Sequence, residues 1–195
     1  MGWTFRRPNP GSNHLSVIFR QTTLPGAFIV DLEKREDDRG FFARTWCQRE
    51  FAEMGLSTEL SQCNISYTRQ RGTLRGMHWQ EPPHAEAKLV RCTRGVIWDA
   101  IIDLRADSPT YMEHFGIELT AASGRSLYIP EGMAHGFVTL DDHSEVSYLM
   151  SAFYEPSAAR GVRWNDPAFG INWPLTDPIL HPRDAAYPDY MKAGV

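Results

Sequence analysis

Two stretches of this chain carry side chains that could handle a proton beside a negative charge. Arg75-Gly76-Met77-His78-Trp79-Gln80 puts a guanidinium and an imidazole on one short segment, and Lys88 follows. Pro130-Glu131-Gly132-Met133-Ala134-His135-Gly136-Phe137 brings a second histidine after a turn. Arginine offers a rigid fork for anionic groups, and an imidazole titrates close to neutrality, so it can both take and return a proton. No metal or nucleotide-cofactor motif accompanies them. The chemistry this set suggests is acid/base catalysis on an anionic small molecule.

Each of these residues also has a plainer reading. A lone histidine on a strand is more often a hydrogen-bonded structural residue than a catalytic one, and strict alternation puts Arg75 and His78 on opposite faces. One pocket can hold both only if the strand bulges, for which Gly76 is the obvious site. Lys88, in Ala87-Lys88-Leu89-Val90, sits among residues of a buried strand, and a buried lysine needs a partner charge. His135 could equally cap the preceding turn or touch a ligand. Tyr148 alternates with Val146 and Met150 and reads as a core aromatic, and Asp184 in Pro182-Arg183-Asp184 reads as a solvated turn residue. The sharpest rival is a metal site of the cupin type, which needs H-x-H, a glutamate and a later histidine. His78, Glu86 and His135 could supply three ligands, but Gln80 stands at the second histidine, and an amide is a poor ligand for such metals. His84 lies after Pro82-Pro83 in an expected loop.

The elements that must position these groups are mostly short strands. Residues 16–21 and 27–32 are strand candidates around Pro25-Gly26, and 40–46 is expected to be a strand after a turn at 36–39. Residues 48–54 form the one clear helix, with Phe51 and Met54 on one side and Gly55 past its end. Segments near 58–66, 72–79, 87–92, 96–104, 113–119, 125–129, 135–140 and 145–154 recur at roughly 8–12-residue spacing, the signature of a β-sandwich or barrel. In Val96 to Leu104 one face is apolar (Val96, Trp98, Ala100, Ile102, Leu104) and the other mixes Ile97 and Ile101 with Asp99 and Asp103. Those two acids belong either at a rim or in a polar cavity. Beyond Pro156 five prolines mark an irregular tail wrapped over the barrel. The expected fold is all-β, a jelly roll of two antiparallel sheets with a few short helices. Residues 1–15 read as a flexible lead and 16–195 as a single domain.

The 195 residues suffice for a full core, and 42% apolar with 23% charged residues is ordinary for a globular protein. A net charge of -4 argues against nucleic acid as a partner. Cys47, Cys63 and Cys92 form no C-x-x-C pair, and their odd number fits no closed disulfide set. No apolar run approaches the ~18 residues of a membrane span, the first residues lack a signal-peptide core, and Arg6 spoils a myristoylation motif at Met1-Gly2. A cytoplasmic protein with reduced thiols and no membrane partner is expected.

Taken together, the chain resembles the dTDP-4-dehydrorhamnose 3,5-epimerase family. The matching residues are Asp38-Arg39-Gly40-Phe41-Phe42, Gln62-Cys63-Asn64, Leu74 to Gln80, Lys88-Leu89-Val90-Arg91, Asp99 and Asp103-Leu104-Arg105. They continue through Ser108-Pro109-Thr110, Ile129 to Gly132, His135-Gly136-Phe137, Tyr148, Tyr154, Trp164-Asn165-Asp166-Pro167 and Trp173-Pro174. The similarity runs in order from about residue 24 to 187. It implies a cupin-like double-stranded β-helix that works without metal or other cofactor, as a homodimer, on a nucleotide-diphosphate sugar of the dTDP-4-dehydro-6-deoxyglucose type. By the same resemblance His78 is the general base, Asp184 orients it, Tyr148 is the acid on the opposite face of the sugar, and Lys88 sits by the C4 oxygen. Arg75, Gln62, Asn64, His135 and Tyr154 match substrate-binding positions, with Arg39 reaching across the dimer. Inversion at C3, at C5 or at both is implied, since the family contains all three kinds of enzyme. Three positions depart from its pattern: Glu86 replaces a glutamine, Ala159 a glutamate, and Arg44 an acidic residue. The competing reading is a metal-binding cupin or a non-catalytic sugar-binding module.

Overall fold

A computed structural model of the protein describes residues 15–191. The expected lead therefore falls, apart from Leu15, outside the described residues, as does the Met1-Gly2 segment. The chain runs through β1 (Val17–Gln21), β2 (Phe28–Leu32), β3 (Arg35–Asp37), β4 (Gly40–Phe42), α1 (Gln48–Glu53), β5 (Gln62–Thr68), β6 (Thr73–Gln80) and β7 (Lys88–Arg94). It continues with β8 (Val96–Asp103), β9 (His114–Thr120), β10 (Ser126–Ile129), β11 (Met133–Thr139), β12 (Ser144–Met150), β13 (Ala159–Gly161), β14 (Ile179–Leu180) and α2 (Pro182–Ala185). One sheet has the order β1-β2-β10-β7-β12-β5 and the other β13-β6-β11-β8-β9, with β14 added beside β6. The fold is the expected cupin-like jelly roll.

Side-chain alternation builds three apolar layers. Between the sheets, Val90, Cys92, Leu127, Ile129 and Val146 meet Ile97, Ile101, Leu119, Met133 and Phe137. The outer face of the first sheet is covered by α1, whose Phe51 packs edge-on to Phe19 at 5.1 Å and Tyr128 at 5.8 Å. A six-residue helix has little stability of its own, and burying Phe51, worth about 2 kcal/mol, holds it in place. The outer face of the second sheet is covered by the tail, where Val162, Phe169 and Trp173 pack on Met77, Ala100, Ile102 and Trp98. β8 is consequently buried on both faces.

Three local expectations are corrected. The strand expected over 40–46 stops at Phe42, and the expected turn at 36–39 begins inside β3, giving a small hairpin that leaves Phe41 and Phe42 exposed. The tail is less irregular than its prolines suggest. It contributes β13 antiparallel and β14 parallel to β6, followed by α2. Asp103 lies at neither a rim nor a cavity: it accepts bonds from Arg105 Nε (2.8 Å), Ser108 Oγ (2.5 Å) and Thr110 Oγ1 (2.8 Å). Burial works against its charge, but these donors hold its carboxyl below the usual range. The motif Asp103-Leu104-Arg105 with Ser108-Pro109-Thr110 is thus a structural corner.

Candidate active site

The bulge that Arg75 and His78 require is present in β6. Its register against β11 pairs His135 with His78 and Phe137 with Arg75, so three steps along β6 oppose two along β11. Gly76 adopts φ +134°, and a Cβ there would lie 2.4 Å from the Gly136 Cα. Two glycines let the backbones meet, and the extra residue turns Arg75 and His78 to one side while Met77 points outward under the tail.

That side opens on a cavity of about 500 Å³ between the sheets. From the second sheet come Arg75, His78, His135 and Phe137, and from the first Asn64, Ser66, Lys88, Tyr148 and Met150. Tyr154 contributes from the loop after β12, Ala159 and Arg160 from β13, and His181, Arg183 and Asp184 from α2 or its edge. His78 Nε2 is 2.8 Å from Asp184 Oδ1, and Gly76 N–H lies 3.4 Å from the other oxygen. Asp184 is buried rather than solvated. Desolvation pushes its carboxyl up, but His78, with the Gly76 N–H and the charge of Arg183, outweighs this and leaves it below the ordinary value. An ionised carboxylate only accepts, so Nε2 carries a proton, and in the neutral ring it is Nδ1 that has the lone pair. The ring is braced edge-on by Tyr187 at 5.6 Å, which lies over Gly161, the β13 partner of His78.

A second pair lies beside the first. His135 is on β11, beyond the turn it was a candidate to cap, and its Nε2 is 2.5 Å from Asp99 Oδ1. Asp99, fully buried, thus faces the interior, and its Oδ2 has no partner among the described residues. Tyr148 packs edge-on to His135 at 6.2 Å. Burial, and secondarily the charge of Asp99, push its phenol well above the ordinary value, so it stays a proton donor throughout the neutral range. Lys88 has the partner charge that its burial demands: Glu86 Oε1 is 2.9 Å from Nζ, with both side chains nearly inaccessible.

Not every expected site residue reaches the cavity. Gln62 does not line it, and its Oε1 accepts from the Tyr154 N–H at 2.7 Å. Arg39 is on the exposed β3–β4 hairpin, paired with Asp37 at 2.5 Å and away from the cavity of its own chain. Gln80 uses both ends of its amide on backbone, Nε2 to the carbonyls of His84 and Phe153 and Oε1 to the Glu155 N–H. Among the described residues no three His, Cys, Asp or Glu side chains are grouped to hold a metal ion. The sequence reading missed Arg183, whose Nε donates to Tyr187 at 2.6 Å, as well as Arg160 and Tyr187. Adjacency to Asp184 was the one available signal for Arg183.

The family model described as dTDP-4-dehydrorhamnose 3,5-epimerase matches residues 21–192. The dTDP-4-dehydrorhamnose 3,5-epimerase of Salmonella typhimurium is 40% identical over 174 residues, covering 88% of this chain and 94% of that protein. The dTDP-4-dehydrorhamnose 3-epimerase of Streptomyces niveus is 39% identical over 166 residues, covering 85% of this chain and 80% of that one. The crystal structure of the Bacillus anthracis 3,5-epimerase with TDP and PPi bound superposes with a TM-score of 0.85 at 38% identity, covering 91% of this chain and all of that one. No described helix is long and apolar enough to cross a membrane. This chain belongs to the dTDP-4-dehydrorhamnose 3,5-epimerase family.

Proposed function

We propose that the protein epimerises a nucleotide-linked 4-keto-6-deoxy sugar of the dTDP-4-dehydro-6-deoxyglucose type, at C3, at C5 or at both. The observation that carries this reading is one cavity with an Asp184-backed imidazole on one wall and a protonated phenol and a buried ammonium on the other. The C4 ketone acidifies the neighbouring C–H bonds. His78 Nδ1 removes one of those protons, and the electron pair moves onto O4 as an enolate. Lys88 stabilises that oxyanion, often the largest single catalytic contribution. Tyr148 returns a proton to the carbon from the opposite face, which inverts it, and solvent restores both groups. One proton leaves and one arrives with no change of oxidation state, so the reaction calls for no cofactor.

Arg75, Asn64, His135 and Tyr154 bind the diphosphate and sugar in this reading, with Gln62 acting through the Tyr154 backbone. The active form is a homodimer, in which the β3–β4 hairpin carries Arg39 to the cavity of a second copy. The apolar side chains left uncovered on that hairpin and on edge strand β5, namely Phe41, Phe42, Ile65 and Tyr67, favour such a partner. The test is incubation with dTDP-4-keto-6-deoxyglucose in deuterated water, followed by NMR. Deuterium at C3 or C5 with inverted configuration is the expected result. Absence of exchange at both carbons overturns the assignment.

A further inference from the structure

The cavity contains one carboxylate that the reaction above does not use. Glu86 precedes β7 and lines the cavity, yet its side chain is only 7% exposed. Its position is fixed by its neighbour, because Ala87 N–H donates to Ser151 Oγ at 2.7 Å and the Ala87 carbonyl accepts from Ser151 N–H at 3.0 Å. In extended chain, residues two apart project to the same side, so Glu86 and Lys88 enter the cavity together. Lys88 Nζ lies 2.9 Å from Glu86 Oε1 and 3.5 Å from the His78 carbonyl. An ammonium has three N–H bonds, and these two acceptors claim two directions. The third is left for an oxygen of the bound ligand.

A carboxylate beside a pocket for an anionic substrate is unfavourable for binding, so a compensating gain is needed. We propose that Glu86 is a positioning residue: it holds the buried Lys88 ammonium in the cavity and aims its remaining N–H at the ketone oxygen. A buried ammonium stripped of its partner must lose its proton or swing toward water, and either removes it from the oxyanion. The effect falls on the transition state, where the oxygen becomes charged, and little on the bound ketone.

The inference rests on the epimerase reading, and the experiment separates the two. Full-length wild type, Glu86→Ala and Glu86→Gln are compared for kcat and KM. In parallel, without substrate, the acylation rate of Lys88 by acetic anhydride is followed by peptide mass spectrometry. Glu86→Ala is expected to lower kcat about 10- to 100-fold, short of the ~10²–10³-fold cost of losing an oxyanion donor outright, with KM changed less than about threefold. Glu86→Gln, which still offers Lys88 an acceptor oxygen, recovers most of that loss. Lys88 is acylated several-fold faster in the alanine variant than in wild type, with the glutamine variant between them. An unchanged kcat in Glu86→Ala, no recovery in Glu86→Gln, or equal acylation of Lys88 in all three overturns the proposal. Should Glu86→Ala fail to fold, Glu86→Gln against wild type decides: faster acylation supports it and equal acylation sinks it. If none of the three proteins turns over the nucleotide sugar, the epimerase reading has failed, and the acylation rates still report whether Glu86 holds Lys88.

Discussion

Replacing Asp184 by Asn tests how much of the catalysis depends on the charge behind His78. The aspartate accepts from two donors, His78 Nε2–H at 2.8 Å and Gly76 N–H at 3.4 Å. Asparagine has one acceptor oxygen, so it can keep only one of these bonds. The shorter bond is the stronger, so the oxygen turns to His78 and the tautomer with a free Nδ1 survives. What disappears is the negative charge that, in the proposed reaction, stabilises the imidazolium formed as the substrate loses its proton. A hydrogen bond to a charged group is worth ~1.5–3 kcal/mol, and ~1.4 kcal/mol is a factor of ten, so kcat should fall roughly 10- to 150-fold. If the amide flips instead, Nδ1 becomes protonated and the loss approaches the ~10⁴-fold of a wrong tautomer. The assay is the initial rate of epimer formation by NMR at saturating substrate, with His78→Asn as the reference for a missing base. A fully active Asp184→Asn enzyme would refute the coupling, and a loss equal to that of His78→Asn would show that orientation, rather than charge, is what Asp184 supplies. Stability gives a second check. Because folding holds the Asp184 carboxyl below the ordinary carboxylate value, its contribution is fully present above that ordinary value and fades as pH falls through the lowered one. The Tm gap between wild type and Asp184→Asn should therefore be widest near neutrality and close in acid, and a gap that stays constant would contradict the assigned charge.

Three further outcomes are expected. Tyr148→Phe should keep proton abstraction and lose inversion, so in deuterated water recovered substrate gains label faster than epimer forms; equal loss of both processes would move Tyr148 into binding or enolate formation. Gly76→Ala should unfold the protein or sharply lower its Tm, because its Cβ would lie 2.4 Å from the Gly136 Cα at φ +134°, and a wild-type Tm would mean the two backbones part at little cost. Asp103→Ala breaks the corner with Arg105 and should cost roughly 3–5 kcal/mol, or about 6–20 °C in Tm. The folded fraction should keep kcat near wild type, and a large kcat loss at unchanged Tm would put Asp103 in the site after all.

Much of this protein was legible before any coordinates. Period-2 alternation and turns at regular spacing specified an all-β sandwich, because each strand has to present one face to the core. The helix at 48–54 was legible for the same reason, since Phe51 and Met54 share a side. The motif text from Leu74 to Gln80 and from His135 to Phe137 named Arg75, His78, His135 and Phe137, the wall that the second sheet gives the cavity. Even the bulge at Gly76 followed from requiring Arg75 and His78 to face one way.

What tertiary structure alone decided was pairing. A short, proline-rich tail has no periodicity that reveals it will add strands beside β6, so nothing local marked Asp184 as buried or brought it 106 residues across the chain to His78. The same holds for His135 and Asp99, which meet because β11 and β8 are neighbours in the sheet. Sequence could say that a buried Lys88 needs an anion, but only the shared direction of residues 86 and 88 at the start of β7 supplied it. Alternation also showed two faces on β8 without showing that both would be covered, since the cover comes from a segment about sixty residues away along the chain. Side-chain type is a local property, whereas charge partners and burial are set by whatever the fold brings alongside.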